Sequence, residues 1–237
     1  MKNLDLYSKI EPLIGFYEEY EKLYKFYLRE LSHFEVKKVL DVGCGNGSML
    51  VYLQKEYEAK GIDISPSMIE KASKKGVDVT CMHLHEVDEE FDALLAVSDV
   101  LNYLDTKILR SFFKDVERLL CDGGVFLCDI NTLFGFSEVT AGSMSVDTHK
   151  QFLSIEADFD DNILETKITL FEKKGQFYTK EQAEILQYYY TVNDIKASTS
   201  LVLLDAKEIT LFADEADKNL LIFQKRDIHI PTLNSLF

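Results

Sequence analysis

The run Asp41-Val42-Gly43-Cys44-Gly45-Asn46-Gly47 sets a carboxylate two residues ahead of a glycine cluster, at the end of the β-branched segment 38–42. A glycine-rich turn between a strand and a helix lets the backbone approach a ligand closely and aims helix N-terminal N–H groups at it. The phosphate-binding pattern G-x-x-x-x-G-K-[ST] is absent, since no glycine here is followed by Lys and a hydroxyl residue at that spacing. The dinucleotide fingerprint G-x-G-x-x-G matches imperfectly, because Ser48 stands where Gly or Ala is required. A carboxylate at Asp41 is also badly placed beside a pyrophosphate.

A cofactor without phosphate and with positive charge removes that conflict. S-adenosylmethionine carries an ammonium and a sulfonium, so Asp41 beside the glycines is favourable to it. Asp63 lies 20 residues after Gly43, at the end of a second strand, where a carboxylate accepts both ribose hydroxyls; Ile64 then lies against the adenine. Asp63 alone suits NAD equally well, and only its combination with Asp41 and the glycines discriminates.

The elements that must hold these residues alternate. Residues 1–35 read as helix, with Pro12 as a break or a start. Strands are expected at 38–42, 59–64, 77–82, 91–97 and 125–130, with helices at 48–57, 66–75 and 106–120 between them. Ser65 and Asp105 are the expected N-caps, and Gly123-Gly124 the expected end of the third helix. This alternation predicts an α/β fold, a doubly wound and mostly parallel sheet. Residues 134–148 read as a polar connection and 151–190 as an antiparallel β meander turning at Asp160-Asp161-Asn162 and Lys174-Gly175. A capping box at Thr191–Asp194 opens a helix to about Leu203, and strands at 208–212 and 220–224 close the chain. The expected organisation is an N-terminal helical cap (1–35), a core (36–133 and 191–237) and an antiparallel insert (134–190).

In four ordered blocks the sequence resembles the class I S-adenosylmethionine-dependent methyltransferases: Val39 to Gly47, Gly61 to Ile69, Phe91-Asp92 through Asn102-Tyr103-Leu104, and Leu119 to Gly124. The resemblance implies a seven-stranded Rossmann-like sheet in which Asp41, Gly43, Cys44, Gly45, Asp63 and Ile64 line the cofactor. It implies that Val97-Ser98-Asp99 pass beside the methionine moiety, and that the final hairpin is the family's antiparallel edge. The insert resembles that of small-molecule methyltransferases, including amino-sugar N,N-dimethyltransferases, and would cover the acceptor site. Two departures stand out. Many relatives place an Asp after the third strand for the adenine amine, where this chain has His83-Leu84-His85, leaving the backbone of Leu84 for that contact. Some carry a His in the segment aligned with residues 184–190, and none is present here, so no catalytic histidine is carried over.

Methyl transfer is an in-line displacement and needs no covalent nucleophile. Where a base is needed, Asp99, Tyr103, Asp129 and His149 are the candidates. Tyr7, in an N-terminal tyrosine stripe, is a candidate to close over the cofactor. No metal is expected, since His83 and His85 lack a third ligand. The net charge of −15, from 26 Lys and Arg against 41 Asp and Glu, argues against nucleic acid or an anionic membrane surface as partner. The four cysteines form no C-x-x-C pair, the apolar stretches are too short to span a bilayer, and residues 1–7 carry no secretory apolar core. The expectation is a cytoplasmic monomer or homodimer methylating N or O of a small molecule. The alternatives are a protein or RNA methyltransferase, a non-catalytic binder of the cofactor and, more weakly, an NAD-dependent oxidoreductase.

Overall fold

In the computed structural model, which describes residues 2–226, eleven strands form two sheets among the described residues. Helices α1 (Lys2–Ile14) and α2 (Tyr17–Leu31) precede β1 (Lys38–Val42), α3 (Ser48–Leu53), β2 (Glu58–Asp63), α4 (Pro66–Ser73), β3 (Val79–Cys81) and β4 (Phe91–Ala96). Then come α5 (Thr106–Leu119), β5 (Leu120–Asn131), β6 (Gly142–Asp147), β7 (Gln151–Asp160), β8 (Ile163–Lys174), β9 (Phe177–Tyr188), α6 (Val192–Lys196), β10 (Val202–Ile209) and β11 (Lys218–Gln224).

The larger sheet has the order β10-β11-β5-β4-β1-β2-β3. Strands β3, β2, β1, β4 and β5 are parallel, while β11 runs antiparallel to both β5 and β10. This is the expected doubly wound fold. Its strand order reverses between β1 and β4, so the crevice at their C-terminal ends is the topological switch point where such sheets bind ligands. The segments Gly43–Gly47 and 97–99 emerge at that place.

Each face of the sheet is covered as its sequence dictates. On α5 the buried positions Leu109, Phe112, Phe113, Val116 and Leu119 follow helical spacing and pack on Phe126 and Phe223. The carboxylate of Asp105 caps this helix by accepting from the N–H groups of Lys107 and Ile108 at 2.9 and 2.8 Å. On the opposite face Leu23, Tyr27 and Leu31 of α2 pack with Met49, Leu50 and Leu53 of α3. The second sheet, β6-β7-β8-β9, is an antiparallel meander between β5 and α6 in the chain. Its inner face, with Leu153, Ile168, Leu170, Ala183 and Ile185, packs against Leu6 and Ile10 of α1.

Several boundaries depart from expectation. Pro12 lies inside α1, and the break falls at Gly15, in the left-handed region at φ +81°. Proline removes the N–H that would bond the Ser8 carbonyl, and the Lys71 ammonium donates to that carbonyl instead. Gly123-Gly124 do not end α5; they lie within β5, which begins at Leu120. The connection at 134–148 contains a helical turn, Gly135–Thr140, and strand β6. The Thr191 capping box is present, but α6 stops at Lys196 and the next strand begins at Val202, so residues to Leu203 are not helical. Helix α3 likewise ends at Leu53 rather than at residue 57.

Gly135 is where the turn after β5 meets the start of β11. A Cβ there would collide with the backbone carbonyl of Asp217, which also accepts from Thr132 N–H at 3.0 Å. Gly135→Ala is expected to lower stability by about 1–3 kcal/mol, read as a reduced urea midpoint with unchanged slope.

Candidate functional site

The turn after β1 is a chain of backbone donors folded around Ile62 and Asp63. The N–H groups of Gly43 and Cys44 donate to the Ile62 carbonyl at 2.8 and 3.0 Å. Gly45 N–H donates to Asp63 Oδ2 at 2.9 Å, and Ser65 N–H to Oδ1 at 2.8 Å. Gly43, Gly45 and Gly47 all have positive φ, at 72°, 52° and 74°. A Cβ on Gly45 would meet nothing within 4 Å, whereas one on Gly47 would strike Ala72 and Val77 at 2.9 Å. Gly45 therefore leaves the backbone open, Gly43 lies against Val100, which a Cβ there would meet at 3.0 Å, and Gly47 packs α4 against the turn.

Asp41 is 1% exposed, and neither carboxylate oxygen has a hydrogen-bond partner among the described residues. Burial, with the Asp63 charge as a smaller cause, pushes its pKa up to about 7. A buried carboxylate without a donor is costly, and a cation beside it reverses the penalty. Asp63 is also raised by burial, opposed by the N–H groups of Ser65, Gly45 and Ile64. The Cys44 thiol, buried next to both carboxylates, is pushed far up and stays protonated. Ile64 is an exposed apolar side chain at the mouth of the crevice. Leu84 is half-buried in a turn of residues 84–86. The donor set fits a cofactor with a ribose and a positive charge.

The segment after β4 is fixed by a buried ion cluster. Val97 is buried; Ser98 and Asp99 adopt left-handed φ values of 66° and 53°. Their N–H groups donate to Asp129 Oδ1 and Oδ2 at 2.7 and 2.9 Å. Asp129 also accepts from Tyr27 Oη at 2.6 Å and from Lys218 Nζ at 2.9 Å. Lys218, 3% exposed at the start of β11, further donates to Asp99 Oδ1 at 3.0 Å and to Asn131 Oδ1 at 2.8 Å. Burial alone would lower its pKa, but the Asp129 and Asp99 carboxylates outweigh that and raise it. From β9, Gln187 Nε2 reaches Asp99 Oδ2 at 2.6 Å.

Of the candidate bases, Asp129 is fully buried and accepts four hydrogen bonds, which makes it a fixture of the loop. His149 is exposed at the β6–β7 turn, whereas Asp99 and Tyr103 lie by the crevice. Burial and the Asp99 charge push Tyr7 up to about 12 and raise Tyr103 as well; for Tyr20 the hydrogen-bonded neighbour Tyr7 is the largest cause. These phenols are neutral donors and acceptors at physiological pH. Sequence reasoning missed Lys218, Gln187 and Tyr27. A charged pair, Asp217-Lys218, heading the apolar run 220–223 was the one available signal.

Helix α1 roofs the crevice. Asp5 Oδ1 accepts from Ser65 Oγ and Ser67 Oγ at 3.1 and 2.8 Å, Glu11 accepts from Asn46, and Lys9 pairs with Glu181 of β9 at 2.6 Å. Among the described residues no cluster of His, Cys, Asp and Glu has the makings of a metal site, and no helix is long and apolar enough to cross a membrane.

Residues 39–124 match the family described as a methyltransferase domain. A putative methyltransferase of Bacillus subtilis, YqeM, is 32% identical over 141 residues, covering 55% of this chain and 57% of its own length. The chain thus spans little more than half of that relative. A putative methyltransferase of Geobacillus sp. is 23% identical over 215 residues, covering 84% of this chain and 87% of that protein. Among solved structures, an S-adenosylmethionine-dependent methyltransferase from Clostridium acetobutylicum superposes with a TM-score of 0.74 at 23% identity, covering 87% of this chain and 92% of that one. The sugar N-methyltransferase KedS8 from Streptoalloteichus superposes at 0.71 with 17% identity, covering 94% and 92%. These likenesses show a shared fold.

Two outcomes follow from the buried charges. Lys218→Met strands two carboxylates and is expected to cost about 3–5 kcal/mol in urea unfolding, with part regained in Lys218→Met/Asp129→Asn. Asp41 has a folded pKa near 7 against an unfolded value of about 3.9, so the free protein loses stability as pH rises from about 4 through 7. Asp41→Asn should therefore be up to about 4 kcal/mol more stable than the parent at pH 8, with the gain vanishing toward pH 4.

Proposed function

We infer that this chain, which belongs to the class I S-adenosylmethionine-dependent methyltransferases, moves the donor's methyl group to a nitrogen or oxygen of a small-molecule acceptor. The carrying observation is Asp41: a buried carboxylate with no hydrogen-bond partner among the described residues, at the switch point of the sheet and directly before a glycine turn that is open at Gly45. That environment favours a cationic nucleoside over a pyrophosphate. In this reading Asp41 faces the ammonium, Gly43, Cys44 and Gly45 give the backbone surface, and Asp63 holds the ribose. Ile64 and Leu84 flank the adenine, and Val97, Ser98 and Asp99 border the methionine arm.

S-adenosylmethionine supplies an electrophilic methyl on a sulfonium that departs as a neutral thioether, so no protein nucleophile is required. The chain's own contribution is alignment and exclusion of water. The left-handed turn at Ser98-Asp99, pinned through Asp129 to Lys218, fixes one side of the acceptor space. Helix α1 and the meander sheet, joined by their apolar core, cover it. Asp99 is the carboxylate positioned to take a proton from the acceptor. The cover formed by α1 and the meander sheet argues for a small acceptor, and the charge of −15 argues against RNA.

S-adenosylmethionine and S-adenosylhomocysteine should each raise the melting temperature, by an amount equivalent to about 2.7 kcal/mol at a hundred times Kd, and NAD should not. Calorimetry of S-adenosylhomocysteine in buffers of differing ionisation enthalpy should detect a proton released at pH 6 as Asp41 ionises beside the ammonium. Asp41→Asn should abolish that release and weaken binding about tenfold or more. Stabilisation by NAD alone would overturn the assignment.

A further inference from the structure

The meander sheet divides its charge between its two ends. Toward the β7–β8 turn lie Glu156, Asp158, Asp160 and Asp161, all exposed. At the other end the β6–β7 turn meets the β8–β9 hairpin, where Lys173 N–H donates to the Lys150 carbonyl at 2.8 Å. Lys150, Lys173, Lys174 and Lys180 gather there, all exposed. Of the carboxylates beside them, Glu172 accepts from Gln151 Nε2 at 3.0 Å and Glu181 is paired with Lys9 of α1, which leaves four ammonium groups against Asp147. None of the four forms an ion pair among the described residues, whereas Lys38, Lys60, Lys167 and Lys207 elsewhere are held by carboxylates.

The same tip carries Phe177 and Tyr178, at 78% and 59% the two most exposed large apolar side chains among the described residues. They stand opposite Lys174 and Lys173 in the ladder. Being consecutive on a strand, they point to opposite faces. Phe152 and Phe171, 6.5 Å apart between ring centres, continue the Tyr178 face, and Lys180 Nζ lies 5.8 Å from the centre of the Phe171 ring. A convex tip with apolar rings on both faces and ammonium groups around them fits a plane of lipid headgroups. Aromatic rings settle at that depth, and lysine stems lie along apolar surface while their charges meet phosphate. Single-stranded RNA stacks on aromatics that share a platform, which the alternation of Phe177 and Tyr178 denies it.

We propose that this hairpin tip docks on an anionic lipid surface, with Phe177 and Tyr178 entering the headgroup region and the four lysines meeting lipid phosphates. The net charge of −15, which argues against such a surface, is an average over the chain. The separation of charge along the meander turns this end toward an anionic plane and the acidic end away from it. Strand β9 runs from Phe177 at the tip to Gln187 beside Asp99, about 33 Å at the rise of a strand. Docking therefore holds the crevice off the contact. It adds a location to the methyltransferase reading, not a step of its chemistry.

The chain contains no tryptophan, so Phe177→Trp puts a lone fluorophore at the tip. The full chain is mixed with vesicles of phosphatidylcholine, alone or with about 30% phosphatidylserine, and binding is read by co-sedimentation. Binding should appear with the anionic vesicles, blue-shift the Phe177→Trp emission, and fade between about 0.1 and 0.5 M salt. Lys173→Gln/Lys174→Gln should weaken it about tenfold or more. Phe177→Ser/Tyr178→Ser should do the same, and both double variants should melt at the parent temperature. Absence of co-sedimentation, or binding that leaves the emission unshifted and is untouched by either double variant, overturns the docking surface. Tip-dependent capture of single-stranded RNA in preference to the vesicles overturns it in favour of a nucleic-acid site, and tip-dependent dimerisation without lipid binding in favour of a second copy of the chain.

Discussion

One ammonium, that of Lys218, stands between two carboxylates in a buried region. Three separate pieces of chain are set by it: the end of β5, the loop after β4 and, through Asp99, β9. Asp129 fixes the end of β5, and Asp99 fixes the loop after β4. Asn131 links the exit toward the meander sheet, and Gln187 returns from that sheet to the same carboxylate. A buried pair of this kind is weak evidence for net stability, because desolvation offsets much of the attraction. Its value lies in geometry. Ser98 and Asp99 hold left-handed conformations that only a set of directed hydrogen bonds maintains.

The crevice is divided between two electrostatic regimes. On the β1 side Asp41 is buried without a hydrogen-bond partner among the described residues, and its proton affinity is raised in consequence. On the β4 side every carboxylate has donors, and the surrounding phenols are the groups whose ionisation is suppressed. Both arrangements favour positive charge in the space between them, one through an unmet demand and the other through a surplus. The acidity of the whole chain acts in the same direction at longer range.

Legibility in the sequence followed the range of the interaction responsible. Asp41, the glycines, Asp63 and the caps at Ser65, Asp105 and Thr191 are local patterns, and the expected strands and helices around them were largely found. Lys218 was invisible because its partners are 87 to 119 residues away, and no pattern within a window reports that. Gly123-Gly124 misled because a positive-φ glycine serves a bend within a strand as readily as a helix end. Strand β6 was missed because its polar alternation, Gly142 to Asp147, suits the edge of a half-exposed sheet and reads as loop. Helix α6 was overextended because a strong start signal says nothing about length.

Helix α1 holds the meander sheet through apolar contacts and the glycine-turn side through polar ones, and its proline belongs to the second set. Pro12 leaves the Ser8 carbonyl without its helical donor, and Lys71 of α4 takes it. The irregularity thus works as an address: an acceptor inside an otherwise self-satisfied rod marks the single register at which the rod can dock. Sliding α1 by one turn would keep much of its greasy face covered but would bring that carbonyl opposite no cation.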